Sequence, residues 1–315
     1  MIDRYPGCEP YPGSTNHHGE VEKLGDVEVT HGFVEVVRSR YHFVTAGDPA
    51  APAVVMLHGL PESWYAWHHQ IADLARDRFV VALDLKGYGQ SEKRLDLEYS
   101  FPHCAFELAL LLEKIGVERF DLVGHDRGSV LGDHLFNVPG GWGERIRRYA
   151  RLQQSFPNAH AEPRPPHALM ATPAGTELFL SPVFPRLLYA QAAPPGLYQL
   201  VFNEIPEADL ARIEAEWRHP GVAQAVPLCF VHTNFDIEME DRRRDLIPKM
   251  NCPVHLIQGE LDPGQPPANY AGLEELGSHF SIEWIEGAGH FSHLEKPAEV
   301  TRAIRRFLTT GLDPK

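Results

Sequence analysis

Four short stretches hold residues whose types and spacing could do chemistry together. Gly124-His125-Asp126-Arg127-Gly128-Ser129 follows the apolar run FDLV. Small residues two before and two after Asp126 permit a sharp strand-to-helix turn that projects the central side chain, a pattern usually written GxSxG with serine as nucleophile. Here aspartate stands in that position, and the chain contains no GxSxG elsewhere. Gly287-Ala288-Gly289-His290 places a histidine on a glycine-rich loop near the C-terminus, suited to a general base. Gly259-Glu260-Leu261-Asp262 offers a carboxylate that can orient an imidazole and stabilise its charged form. His58-Gly59-Leu60-Pro61 brings the Leu60 backbone N–H, which with that of Arg127 would make an oxyanion hole. Asp126, Asp262 and His290 are the expected catalytic residues, in the chain order nucleophile, acid, histidine. A carboxylate attacking an ester would give an anhydride, whereas one attacking an alkyl carbon gives an ordinary ester that water can cleave. The aspartate therefore points to an alkyl electrophile.

These loops must be held at one edge of a sheet. AVVMLHG (53–59), FVVALDL (79–85), FDLVGHD (120–126), PVHLIQGE (253–260) and FSIEWIEG (280–287) are short apolar runs of the kind buried on both faces of a parallel sheet. VEVTHGFVEVV and RSRYHFVTAG alternate apolar and polar residues and predict a hairpin. SWYAWHHQIADLARD (63–77), with a serine cap, and CAFELALLLEKIGV (104–117) read as helices. The alternation predicts a doubly wound α/β sheet, whose ligands bind at the C-terminal ends of its strands. Residues 155–247 break it: they are rich in proline and in amphipathic segments such as PEADLARIEAEW, without strong strand runs. The expected organisation is a loose arm over 1–30, a core over 31–154 and 248–315, and a mainly helical lid over 155–247.

The 315 residues carry a formal net charge of −14, which disfavours nucleic acid as a partner. Cys8, Cys104, Cys229 and Cys252 are widely spaced without a CxxC pair, which fits a reducing cytosol rather than a disulfide scaffold. No apolar signal core or membrane-spanning run is evident, and no GxGxxG or GxxxxGK suggests a nucleotide. The expectation is a cytoplasmic protein that takes a small-molecule substrate, with no cofactor, no metal and no membrane; a homodimer is compatible with the sequence. His17-His18 and His68-His69 are adjacent pairs, expected to point apart and to bind no metal. His293 is read as structural. Trp64 is expected mainly to pack, and also to line the pocket.

HGLPESWYAW, DLKGYGQSEK, VGHDRGS, GELD and GAGHFSHLEKP together resemble the α/β-hydrolase superfamily, in particular its epoxide hydrolases and their dehalogenase relatives. The resemblance runs from about Val34 to Leu308. It implies a mostly parallel eight-stranded sheet flanked by helices, and SN2 attack by Asp126 that leaves an alkyl–enzyme ester for water to hydrolyse. Haloalkane dehalogenases carry Trp after the nucleophile and Asn after HG, where this chain has Arg127 and Leu60. Some of them place the acid after the sixth strand, where RLQQSFPN offers only Gln153 and Gln154. Haloacetate dehalogenases use an HDRG elbow whose arginine binds the substrate carboxylate, but their second arginine is Val130 here. Epoxide hydrolases match best at HGLPESWYAW, yet the two lid tyrosines that donate protons to the epoxide oxygen are not at their usual places. Arg186 occupies the first, with Tyr189 a turn later; Val231 or His232 falls at the second. Tyr189, Tyr198 and His232 are the substitutes to consider. Arg127 and Arg186 are the cations expected near an anionic substrate group. An epoxide hydrolase is the first reading, a haloacid dehalogenase the second, and a non-catalytic small-ligand binder on the same fold the third.

Overall fold

The computed structural model describes residues 7–154, 172–181, 183–191, 199–233 and 235–310. Nine strands form one sheet: β1 (Val21–Leu24), β2 (Val27–Val36), β3 (Ser39–Ala46), β4 (Ala53–Leu57), β5 (Phe79–Leu83), β6 (Phe120–His125), β7 (Ile146–Leu152), β8 (Val254–Gly259) and β9 (Phe280–Ile285). Their order is β1-β2-β3-β5-β4-β6-β7-β8-β9. The first three join antiparallel, and β3 joins β5 antiparallel. From β5 to β9 every pairing is parallel. The strands β5 and β6 are buried throughout, which is why their sequences read as unbroken apolar runs rather than alternating ones.

The described helices are α1 (His68–Leu74), α2 (Phe101–Lys114), α3 (Arg127–Leu135), α4 (Trp142–Arg145), α5 (Pro173–Leu180), α6 (Phe184–Leu188), α7 (Glu207–Trp217), α8 (Val222–Val231), α9 (Phe235–Asp241), α10 (Ser292–Glu295) and α11 (Pro297–Thr310). Two apolar clusters cover the sheet. One joins Trp67, Ile71 and Leu74 to Val300, Ile304 and Phe307, so it lies under α1 and α11. The other is built from α2, α3 and the helices between β7 and β8. Ser63 caps the 3-10 turn Trp64–Trp67 by accepting from Tyr65 N at 3.2 Å, as its sequence position predicts.

Two expectations change. The sheet has nine strands rather than eight. The additional strand, β1, lies inside the supposed arm and pairs with β2 through the two-residue turn Gly25-Asp26, a hairpin signal masked by the surrounding glycine, proline and histidine. The described part of the arm is not loose: Cys8 N donates to Phe33 O at 3.1 Å, and Thr15 N and Asn16 N donate to Gln90 Oε1 at 2.9 and 3.0 Å. The strand β7 is not among the apolar runs, because its sequence, IRRYARL, carries three arginines. Arg147 and Arg148 pair with the buried Asp121. Arg151 pairs with buried Asp133 on α3 at 2.8 Å, and the same carboxylate meets Arg242, after α9, at 2.7 Å. Buried arginines are tolerated when paired and hydrogen-bonded.

All described residues between β7 and β8 are helix, turn or loop. The four cysteines are free thiols. Among the described residues no helix is long and apolar enough to cross a membrane.

Candidate active site

Because β4 and β6 through β9 run parallel, their C-terminal ends share one edge, and five loops meet there. The turn after β6 is the tightest. Asp126 adopts φ 46° and ψ −116°, a left-handed conformation that costs a non-glycine residue about 1–3 kcal/mol. It allows the chain to leave the strand and enter α3 at once, with the carboxylate projecting from the corner. Glycine is required beside it: a Cβ on Gly128 would lie 2.3 Å from Leu57 O and 2.5 Å from His58 O. The spacing of small residues around Asp126 thus has a direct steric cause.

The two oxygens of Asp126 have different neighbours. Oδ2 accepts from the Leu60 backbone N–H at 3.2 Å. Oδ1 lies 4.0 Å from His290 Nε2, beyond hydrogen-bond range. Arg127 is the first residue of α3, so its N–H is one that the helix leaves without an internal acceptor. His290 Nδ1 donates to Asp262 Oδ2 at 2.7 Å. Asp262 is buried, whereas its neighbour Glu260 is exposed and accepts from Gly287 N instead. Burial alone would depress the His290 imidazole. The Asp262 carboxylate, with Asp126 and Glu62 behind it, outweighs burial and raises its pKa from 6.5 to about 9.

Two residues that the sequence reading left unused hold this arrangement. Gln153, at the end of β7 with φ 45°, donates through Nε2 to Gly289 O at 2.7 Å and to Asp262 Oδ2 at 3.3 Å. Its Oε1 accepts from Gly259 N at 2.5 Å. One amide therefore joins the acid loop to the histidine loop. Glu62 joins the others: it accepts from Gly59 N at 2.8 Å and meets His125 Nδ1 and His293 Nε2 at 2.8 Å each. His125 Nε2 in turn faces His290 O at 3.0 Å. Burial would raise the Glu62 carboxyl, but His125 and His293 hold it well below its ordinary range. Burial pushes the His293 imidazole down to about 4. The only sequence signal for Glu62 was its place in HGLPESWYAW; Gln153 gave none.

The helical segment is stitched to the histidine loop as well. His290 N donates to Leu200 O at 2.8 Å. Glu295 accepts from Gly289 N at 3.0 Å through Oε1, and from Phe202 N and Asn203 N at 2.8 and 3.0 Å through Oε2.

The other expected binding residues are engaged within the protein. The Trp64 ring is wholly buried in the apolar cluster under α1 and α11, so it packs rather than lines a pocket. Arg186 is engaged by Glu214 at 2.7 Å and by Glu207 at 2.5 Å, so its guanidinium is already paired in this conformation. His232 accepts from Tyr99 N at 3.0 Å and lines a surface groove with Leu95, Asp96 and His103. The Tyr189 ring packs on Phe291, centroids 4.3 Å apart, and its hydroxyl is buried with no hydrogen-bond partner among the described residues. A hydroxyl closed to solvent in this way cannot touch a substrate in this conformation. The Arg127 guanidinium sits between the Phe101 and Phe230 rings, 4.6 and 4.1 Å from their centroids, and donates to Cys229 O at 3.0 Å. Tyr198 lies outside the described residues. His68 and His69 do not point apart: their ring centroids are 3.8 Å apart, because both side chains bend toward Asp209.

Comparison with known proteins agrees with this architecture. The chain is 29% identical to epoxide hydrolase A of Mycobacterium tuberculosis over 332 residues, covering 90% of this chain and 98% of that protein. It is 27% identical to bifunctional epoxide hydrolase 2 of Sus scrofa over 320 residues, covering 90% of this chain, and it spans only 56% of that relative's length. The crystal structure of Cfl2 from Burkholderia cenocepacia superposes with a TM-score of 0.73 at 27% identity, covering 93% of this chain and 99% of that one. The profile of the α/β hydrolase fold family matches residues 52–297, and the chain belongs to that family.

Proposed function

We propose that the protein hydrolyses an epoxide to a diol through a covalent ester on Asp126. The observation that carries this reading is the division of labour at the Asp126 carboxylate. Oδ2 rests on the Leu60 amide, while Oδ1 accepts no hydrogen bond from the described residues and lies 4.0 Å from a histidine held by Asp262. A serine nucleophile would need its histidine in hydrogen-bond contact to remove a proton. An ionised carboxylate has no proton to lose, so the gap suits a histidine that acts on water instead.

In the first step Oδ1 attacks a ring carbon. A carbon–oxygen bond forms to Asp126, the ring carbon–oxygen bond breaks, and the released alkoxide takes up a proton from solvent. In the second step His290 Nε2 removes a proton from water, and the resulting hydroxide attacks Cγ of Asp126. Negative charge then develops on Oδ2 against the Leu60 and Arg127 amides. Collapse releases the diol and restores the carboxylate, one oxygen of which has come from water. Asp126 is among the groups that raise the His290 pKa. Esterification removes that charge, so the imidazolium becomes more acidic and yields the neutral base when the second step needs it. The helices between β7 and β8, tied to the histidine loop through Leu200, Phe202 and Asn203, act as the lid. The similarity to epoxide hydrolases over most of the chain supports the choice of electrophile.

The test is an intermediate trap. His290→Gln, exposed to a panel of epoxides and haloacids and examined by intact mass, is expected to gain the full mass of an epoxide on Asp126. A gain equal to a haloacid less hydrogen halide would move the assignment to dehalogenation. No adduct with any compound would overturn the covalent mechanism.

A further inference from the structure

At the junction of the 3-10 turn and α1, three side chains from two distant segments converge. His68 Nε2 lies 3.3 Å from Asp209 Oδ1, and His69 Nε2 lies 3.8 Å from Asp209 Oδ2. Asp209 belongs to α7, so the group bridges the core and the helical segment. One ligand atom from each residue can be chosen so that all lie within 4.8 Å of one another.

The contacts around them fix His68 and Asp209. His68 Nδ1 is 2.9 Å from Tyr65 O, and a carbonyl only accepts, so Nδ1 carries the hydrogen. Nε2 faces a carboxylate oxygen of Asp209 at 3.3 Å, a pair that either a proton on Nε2 or a metal ion can join. The surroundings are those of a ligating histidine: its other nitrogen is fixed by a backbone carbonyl, and the carboxylate is fixed by the Tyr65 hydroxyl, which donates to Asp209 Oδ1 at 3.1 Å. Tyr65 also lies flat on His68, 4.4 Å between centroids and 4° between planes, which locks that ring. His69 is about one-third exposed and opens the group to solvent. Arg212, 5.0 Å from the Tyr65 ring, is already engaged by Glu22 and Glu216.

We propose that His68, His69 and Asp209 form a binding site for a divalent transition metal, with Zn²⁺ the best match to two imidazoles and one carboxylate. Zinc takes such ligands at about 2.0–2.2 Å in tetrahedral array, which needs donor atoms roughly 3.3 Å apart. His68 and Asp209 already have that spacing, and the more exposed His69 closes the rest. The fourth position is left to water. Bound metal would fasten α7 to α1, and so the helical segment to the core.

The test uses the full chain, stripped with a chelator and desalted. It is titrated with ZnCl₂ by calorimetry and with CoCl₂ by visible absorption, where a four-coordinate site gives strong d–d bands. One equivalent of Zn²⁺ is expected to bind the wild type. His69→Ala and Asp209→Asn should weaken that event by more than the roughly 10–100-fold that loss of an outer partner alone costs. His17→Ala, elsewhere on the surface, should bind as the wild type does. His69→Gln replaces His69→Ala if circular dichroism shows the latter misfolded. A wild type that binds neither ion overturns the proposal. So do variants that bind as tightly as the wild type, in which case the three side chains form only an ion-paired contact.

Discussion

The edge formed by the ends of the parallel strands and the helical segment between β7 and β8 obey different rules. At the edge each candidate catalytic group stands within a few residues of a strand end, on a turn whose geometry is set locally by glycine. The parallel pairing of β4 and β6 through β9 then leaves little choice about where those groups meet. In the helical segment the candidate residues were assigned by position along a sequence, and tertiary contacts decide where they point. Arg186 is taken by two glutamates, Tyr189 by Phe291, and His232 by the backbone of Tyr99. Substitutions should therefore have large effects on chemistry at the edge and small ones at these three positions.

The largest effect is expected at Asp126. Asp126→Asn should reduce diol formation by about 10⁴-fold, with thermal stability retained; activity within tenfold of wild type would remove Asp126 from the nucleophile's role. Asp262→Asn comes next, with a loss of roughly 10²–10⁴-fold. It should also change how stability depends on pH. The folded chain holds the His290 proton up to about pH 9, whereas the unfolded chain releases it near 6.5. Folding thus takes up a proton between these values, and this contribution is complete below 6.5 and lost as pH rises through 9. It is on the order of 3 kcal/mol. Denaturant unfolding of wild type and Asp262→Asn should show a gap that narrows from pH 6.5 to above 9. A constant gap would mean that Asp262 does not raise the imidazole.

Glu62 marks the limit of what the strand-end motifs disclose. Asp126, Asp262, His290 and the Leu60 amide were legible because each sits in a short pattern with a steric or chemical reason for its residues. Glu62 and Gln153 were not, because each acts on loops far from it in sequence: Glu62 on Gly59, His125 and His293, Gln153 on Gly259, Asp262 and Gly289. The strand β7 was hidden by arginines whose partners, Asp121 and Asp133, become neighbours only on folding. Strand β1 was hidden by the composition around it. Glu62→Gln leaves the buried histidines without their carboxylate and should cost about 3 kcal/mol in denaturant unfolding, with a smaller loss of turnover than Asp262→Asn. If turnover fell further than in Asp262→Asn, Glu62 would belong with the reacting groups rather than behind them.

The smallest effects should come from the helical segment, and they are the sharpest test of the contrast. Tyr189→Phe removes a hydroxyl that is buried with no partner among the described residues, so the folded state loses no hydrogen bond to them and sheds an unsatisfied polar group. Stability should be unchanged or slightly raised, and turnover should stay within about threefold of wild type; removal of a general acid would instead cost about 10²–10⁴-fold. Arg186→Ala breaks an ion-pair cluster with an exposed partner, Glu207, which is screened by solvent. It should leave turnover of neutral epoxides unchanged. Because its guanidinium is already held by Glu207 and Glu214, turnover of epoxides bearing a carboxylate should also be unchanged. A selective rise in KM for the anionic substrates would show that Arg186 leaves its glutamates to meet substrate, and the division between the two regions would fail at that residue.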